Sequence, residues 1–81
     1  MHEWSITESV IKEILSQAQK NNINKIERVS LALCEDGHLT VESVKLCFEY
    51  LSKGTILENV KLEIEKIIEK GIVIKSIEGK N

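Results

Sequence analysis

The chain begins with apolar residues at helical spacing. They follow a capping-box start in which Ser5 is followed three residues later by Glu8. One helix face would be formed by Ile6, Val10, Ile11, Ile14, Leu15 and Ala18. Asparagines, which compete for backbone hydrogen bonds, cluster just after Lys20. The pattern therefore predicts a first helix from Ser5 to about Lys20.

The period changes to two from Lys25 onward, which predicts a strand. Its apolar face would carry Val29, Leu31 and Leu33. A turn over residues 35–38 follows, and Thr40 then occupies the position of a helix N-cap. The second helix would bury Val41, Val44, Phe48 and Leu51 and end at Gly54.

Two more strands complete the pattern. Val60, Leu62 and Ile64 alternate with charged residues, and a β-rich run covers residues 72–77. The element order is helix, strand, helix, strand, strand. Such elements bury their apolar faces in two layers, which predicts an α+β fold with two helices on one face of a three-stranded sheet. The short link between the last two strands suggests a hairpin.

The composition limits the classes of function. With 81 residues, the chain has room for a single domain, residues 1–81. Its net charge of -2 is spread along the sequence, which argues against a nucleic-acid partner. The chain shows neither a signal-peptide pattern nor an apolar run of membrane length, which predicts a cytoplasmic protein. Cys34 and Cys47 form no CxxC motif and are expected to be free thiols.

The first three residues, Met1, His2 and Glu3, are the leading metal-site candidate. A histidine at position two can form chelate rings with the free amine of Met1, its own backbone nitrogen and its imidazole. The Glu3 amide nitrogen can supply a fourth donor, and four nitrogens in a plane suit Ni²⁺ or Cu²⁺. The alternative is an ordinary exposed histidine after an initiator methionine, because a short motif needs confirming context.

Three other residues are weaker candidates. His38 and the nearby carboxylates can be read as further metal ligands, although a solvated turn is the preferred interpretation. Cys34 with His38 can be read as a nucleophile and its base, but the sequence indicates neither a pocket nor an oxyanion donor. Trp4 is expected to pack on the first helix or the sheet.

The opening Met-His-Glu-Trp-Ser-Ile resembles the start of the HypA family of hydrogenase and urease nickel-incorporation proteins. The resemblance continues with Glu42, Phe48, Glu49, Lys53, Gly54, Thr55, residues 61–64 and residues 74–78. It implies that Met1, His2 and Glu3 bind Ni²⁺ for delivery to the hydrogenase large subunit, together with a HypB-like maturation GTPase. It also implies a metallochaperone rather than an enzyme.

Two segments depart from the family pattern. The family usually inserts a small domain with two CxxC pairs that hold zinc, whereas residues 65–72 of this chain run through that place without a cysteine. Zinc is therefore not expected. The turn before the second helix also differs, since Cys-Glu-Asp-Gly-His stands where the family tends to have Gly-Glu-Leu-Ser-Gly.

These departures leave two functional hypotheses. The first is a nickel metallochaperone domain, and the alternative is an interaction module of the same fold that docks the maturation GTPase without delivering metal. Exposed Ile67 and Ile68, next to a free sheet edge, also suggest a homodimer or a domain-swapped assembly.

Overall fold

Two helices and three strands follow one another in the predicted order. The computed structural model describes residues 2–36 and 39–81, except for the side chains of His2 and Glu3. The elements are α1 (His2–Lys20), β1 (Lys25–Leu33), α2 (Val41–Leu51), β2 (Lys61–Lys66) and β3 (Ile72–Lys80). The predicted α+β class and the order α-β-α-β-β are confirmed.

The sheet has the strand order β2-β1-β3. β1 pairs parallel with β2 and antiparallel with β3. The predicted hairpin between the last two strands is therefore wrong. β1 takes the centre because it is the most apolar strand, with Leu31, Ala32 and Leu33 almost fully buried. The link between β2 and β3 crosses the end of β1, where Ile67 N–H donates to Leu33 C=O at 2.9 Å and Cys34 N–H donates to Gly71 C=O at 3.1 Å.

Both helices pack on one face of this sheet and enclose the core. Its fully or nearly fully buried members are Ile11, Ile14 and Ala18 from α1, Ile26, Val29 and Leu31 from β1, Phe48 from α2, and Leu57. A second cluster joins Leu33, Leu39 and Val44 near the start of α2. The apolar faces that the periodicity of the helices and strands predicts thus pack against each other between the helices and the sheet.

The helix ends differ from the sequence-based bounds at two places. α1 begins at His2 rather than after Ser5, because residues 2–4 include neither glycine nor proline and can continue the helix toward the N-terminus. α2 ends at Leu51 with Ser52 as its C-cap, before Gly54. The predicted N-cap is confirmed, since Thr40 Oγ1 accepts from Ser43 N–H at 3.1 Å.

The opposite face of the sheet is open and charged. Arg28, on the central strand, pairs with Glu78 of β3 at 3.0 Å and with Glu63 of β2 at 3.5 Å. A second ion pair joins Lys75 of β3 to Glu65 of β2 at 3.3 Å. Acidic and basic side chains of all three strands are thus paired on this face. Neither helix in the described parts of the chain has the length and apolar character needed to cross a bilayer.

Candidate metal site at the N-terminus

The predicted ligands belong to the start of α1. Met1 lies outside the described residues, and the structure describes the backbone but not the side chains of His2 and Glu3. Both residues are in the first helical turn. The first four N–H groups of an α-helix have no intrahelical acceptor and point away from its end. The two amide nitrogens of the predicted site are therefore in positions that helix formation leaves free to bind.

The first turn of α1 packs beside the last turn of α2. The rings of Trp4 and Tyr50 lie 5.4 Å apart between centroids, at an interplanar angle of 51°. Lys53 Nζ lies 5.8 Å from the centroid of the Tyr50 ring, within cation–π range. The positive end of one helix dipole is thus close to the negative end of another.

Trp4 packs differently from the sequence-based expectation. It was expected to lie on the first helix or the sheet, but its ring partner belongs to the second helix. The sequence pattern alone does not indicate a role for Tyr50. Tyr50 lies outside the apolar face of α2. An aromatic residue at such a position can indicate a packing partner on another element, which the helical periodicity does not identify.

The carboxylates of the turn before α2 have structural partners. Glu35 Oε2 accepts from Val41 N–H at 2.9 Å and Oε1 lies 3.2 Å from Lys66 Nζ. The hydrogen bond from Val41 N–H, and then the hydrogen bond from Lys66, lower the pKa of Glu35 below its ordinary value of 4.5. Asp36 Oδ1 accepts from Leu39 N–H at 2.8 Å. These bonds favour the turn interpretation of this segment, while His38 itself lies outside the described residues.

Cysteine chemistry has little structural support in the described residues. Cys34 and Cys47 are half-buried, and neither forms a disulfide. Cys34 Sγ lies 3.6 Å from Ile68 C=O, which is a weak contact with the β2–β3 link. Within residues 2–36 and 39–81, excepting the two undescribed side chains, no group of three or more His, Cys, Asp or Glu residues is placed to hold a metal ion.

Comparisons with known proteins agree on one family. Residues 1–72 match the family model described as "Hydrogenase/urease nickel incorporation, metallochaperone, hypA". A hydrogenase maturation factor HypA from Dehalococcoides mccartyi strain 195 is 39% identical over 67 residues, which cover 83% of this chain and 56% of that protein. A hydrogenase maturation factor HypA from Methanopyrus kandleri is 38% identical over 71 residues, which cover 88% of this chain and 49% of that protein. The chain thus spans about half the length of these relatives.

Solved structures agree with the fold. The solution structure of the Ni metallochaperone HypA from Helicobacter pylori superimposes with a TM-score of 0.75 at 18% identity, covering 96% of this chain and 97% of that one. A second solution structure of a HypA protein gives a TM-score of 0.67 at 20% identity, covering 100% of this chain and 93% of that one. At such low identity the likeness concerns the fold alone. Because the family model matches residues 1–72 of this chain, the chain belongs to the HypA family of hydrogenase and urease nickel-incorporation metallochaperones.

Proposed function

We propose that this chain binds Ni²⁺ at Met1, His2 and Glu3 and carries it to hydrogenase maturation. The observation that carries the proposal is the family match, which begins at residue 1 and extends to residue 72. The placement of His2 and Glu3 in the first helical turn supports it, because their amide nitrogens are not needed as helix donors. Nickel is then the cargo of the protein and not a resident cofactor.

The ligand chemistry determines how the ion is loaded and released. The Met1 amine must lose a proton to bind, and so must each amide nitrogen that coordinates. Affinity therefore rises with pH, and acid releases the ion. Cu²⁺ binds the same nitrogen donors more tightly than Ni²⁺ by the Irving–Williams order, so specificity has to come from metal supply and partner docking.

The role in the cell follows from this carrier chemistry. The relatives are named hydrogenase maturation factors, which supports a role in hydrogenase maturation. Within that role, the family resemblance implies a hydrogenase large subunit as recipient and a HypB-like GTPase as partner. The protein would act in the cytoplasm as a carrier and not as an enzyme.

The alternative function is an interaction module that docks the maturation GTPase without delivering metal. Its support is the short link between β2 and β3, because the family usually carries its zinc module between the positions of residues 65 and 72. The proposed domain therefore comprises residues 1–81 without zinc. Both functions would use the same fold, and a measurement of nickel binding distinguishes between them.

The test is a calorimetric Ni²⁺ titration of untagged protein that begins at Met1. One equivalent is expected to bind, with the visible absorption of planar four-coordinate nickel. His2→Ala should abolish binding, and so should acetylation of the amine. His38→Ala is the matched control, because it removes the other histidine of the chain and should leave affinity nearly unchanged.

Two results would overturn the N-terminal site. One is equal Ni²⁺ affinity in the parent and His2→Ala. The other is the weak absorption of six-coordinate nickel in the bound parent. Absence of nickel binding by the parent, together with retained binding of the maturation GTPase, would favour the interaction module.

A further inference from the structure

The contact between Trp4 and Tyr50 connects the proposed nickel site to the second helix. Trp4 directly follows Glu3 in the chain and is half-buried, whereas Tyr50 has 63% of its surface exposed. Their ring centroids lie 5.4 Å apart in a tilted arrangement. This separation and tilt are within the range in which aromatic rings attract each other beyond simple burial.

Side-chain contacts such as that between Trp4 and Tyr50 help to order the first turn of a helix at a chain terminus. Chain termini are poorly ordered unless they are tied down, and helix ends fray. Three of the four proposed nickel donors, the Met1 amine and the amides of His2 and Glu3, are backbone nitrogens, so their relative positions depend directly on the order of this turn. Disorder there would have to be removed when the metal binds, which lowers the affinity.

We propose that Tyr50 is a positioning residue for nickel binding, which holds Trp4 and thereby orders the first turn of α1 before the metal arrives. The inference rests on the proposed function, because it concerns the same site. Lys53 supports the arrangement, since its ammonium lies 5.8 Å from the centroid of the Tyr50 ring. Tyr50 does not touch the metal itself in this proposal.

The test compares variants of two exposed side chains on α2. Tyr50→Ala removes the ring, and Tyr50→Phe keeps it without the hydroxyl. Leu46→Ala is the matched control, because Leu46 is one turn earlier and has the same 63% exposure as Tyr50. All three substitutions are on the surface, so the fold is expected to persist, which circular dichroism verifies.

The expected result is a loss of about three- to tenfold in Ni²⁺ affinity for Tyr50→Ala, the change that corresponds to one aromatic pair. Tyr50→Phe should restore affinity to the parent value, and Leu46→Ala should not change it. In the metal-free protein, the NMR order parameter of the Trp4 amide should fall from about 0.85 toward 0.6 in Tyr50→Ala alone.

The outcomes separate this inference from the proposed function. Parent-like nickel affinity in Tyr50→Ala overturns the positioning role alone. An equal loss in Leu46→Ala also overturns it, because the effect would then reflect a general weakening of α2. Failure of the parent to bind nickel overturns the proposed function, and the positioning role with it.

Discussion

For the substitution Gly79→Ala, the structure and general residue propensity predict opposite changes in stability. Glycine inside a strand is normally unfavourable, and Gly→Ala at a compatible site stabilises a protein by about 0.4–1 kcal/mol. Gly79 lies near the end of β3, opposite Ile26 of β1. A Cβ added there would collide with the backbone carbonyl of Lys25, and it would lie 2.7 Å from Ile23 Cγ2. The entropic gain therefore has to be weighed against this collision.

The steric cost is the larger of the two effects. A backbone carbonyl cannot rotate away as a flexible side chain can, so β1 and β3 must separate locally. Overpacking of this kind costs about 1–3 kcal/mol. For a chain of this length the total stability is about 4–12 kcal/mol. We therefore expect Gly79→Ala to lower the melting temperature by several degrees, on the order of 4–8 °C per kcal/mol.

Thermal unfolding followed by circular dichroism measures the melting temperature, and urea unfolding measures the free energy of unfolding. Ser76→Ala is the control, since Ser76 is exposed on the same strand and faces Ser30 across the pair. Its stability should stay within about 0.5 kcal/mol of the parent. Amide shifts in Gly79→Ala should concentrate at residues 23–26. A variant as stable as the parent, or more stable, would refute the register of β1 and β3 at this end.

Two further predictions concern pH and assembly. Because the native-state pKa of Glu35 is lowered, its contribution to stability is present above 4.5 and is lost as pH falls below that value through the native-state pKa. Glu35→Gln should therefore be less stable at pH 7 and lose less stability than the parent between pH 5 and 3 in urea titrations; parallel losses would contradict this. Ile68 is 96% exposed, and β2 and β3 each pair with β1 on one side only, so we expect dimers. Burying an isoleucine from each of two copies gives about 3–6 kcal/mol, which does not by itself exceed an association cost of about 4–15 kcal/mol, so a stable dimer also needs strand pairing at a free sheet edge. Light scattering should show dimers in the parent and not in Ile68→Lys, and a monomeric parent at millimolar concentration would exclude them.

The elements and their order could be predicted from the sequence because each has a clear hydrophobic period. The strand order could not. The short β2–β3 link favoured a hairpin by local reasoning, but the burial of Leu31, Ala32 and Leu33 on β1 requires neighbours on both sides of that strand. Such a requirement depends on contacts between distant segments, which a periodicity analysis does not include.

The candidate site could be proposed from the sequence only where its chemistry depends on chain position. A histidine at position two is visible in the sequence, and so is its chelating geometry. The packing of Trp4 on Tyr50 was not visible, because the two residues are far apart in the chain and meet only when α1 and α2 pack. The bond from Val41 N–H to Glu35 likewise depends on how the turn closes onto α2.

The β2–β3 link closes one end of the sheet with its own backbone hydrogen bonds. Its two ends bond to the end of β1, through Ile67 N–H to Leu33 C=O and Cys34 N–H to Gly71 C=O. Gly71 adopts a φ of +100°, a conformation that side chains disfavour, which lets the chain reverse within a short span. The sheet hydrogen bonds on both sides of β1 are therefore completed by the chain itself. The first turn of α1, which carries the proposed nickel site, contacts α2 through Trp4 and Tyr50, which are distant in sequence from this link. The contact between Trp4 and Tyr50 beside the proposed nickel site is thus made by other residues than those that close the sheet.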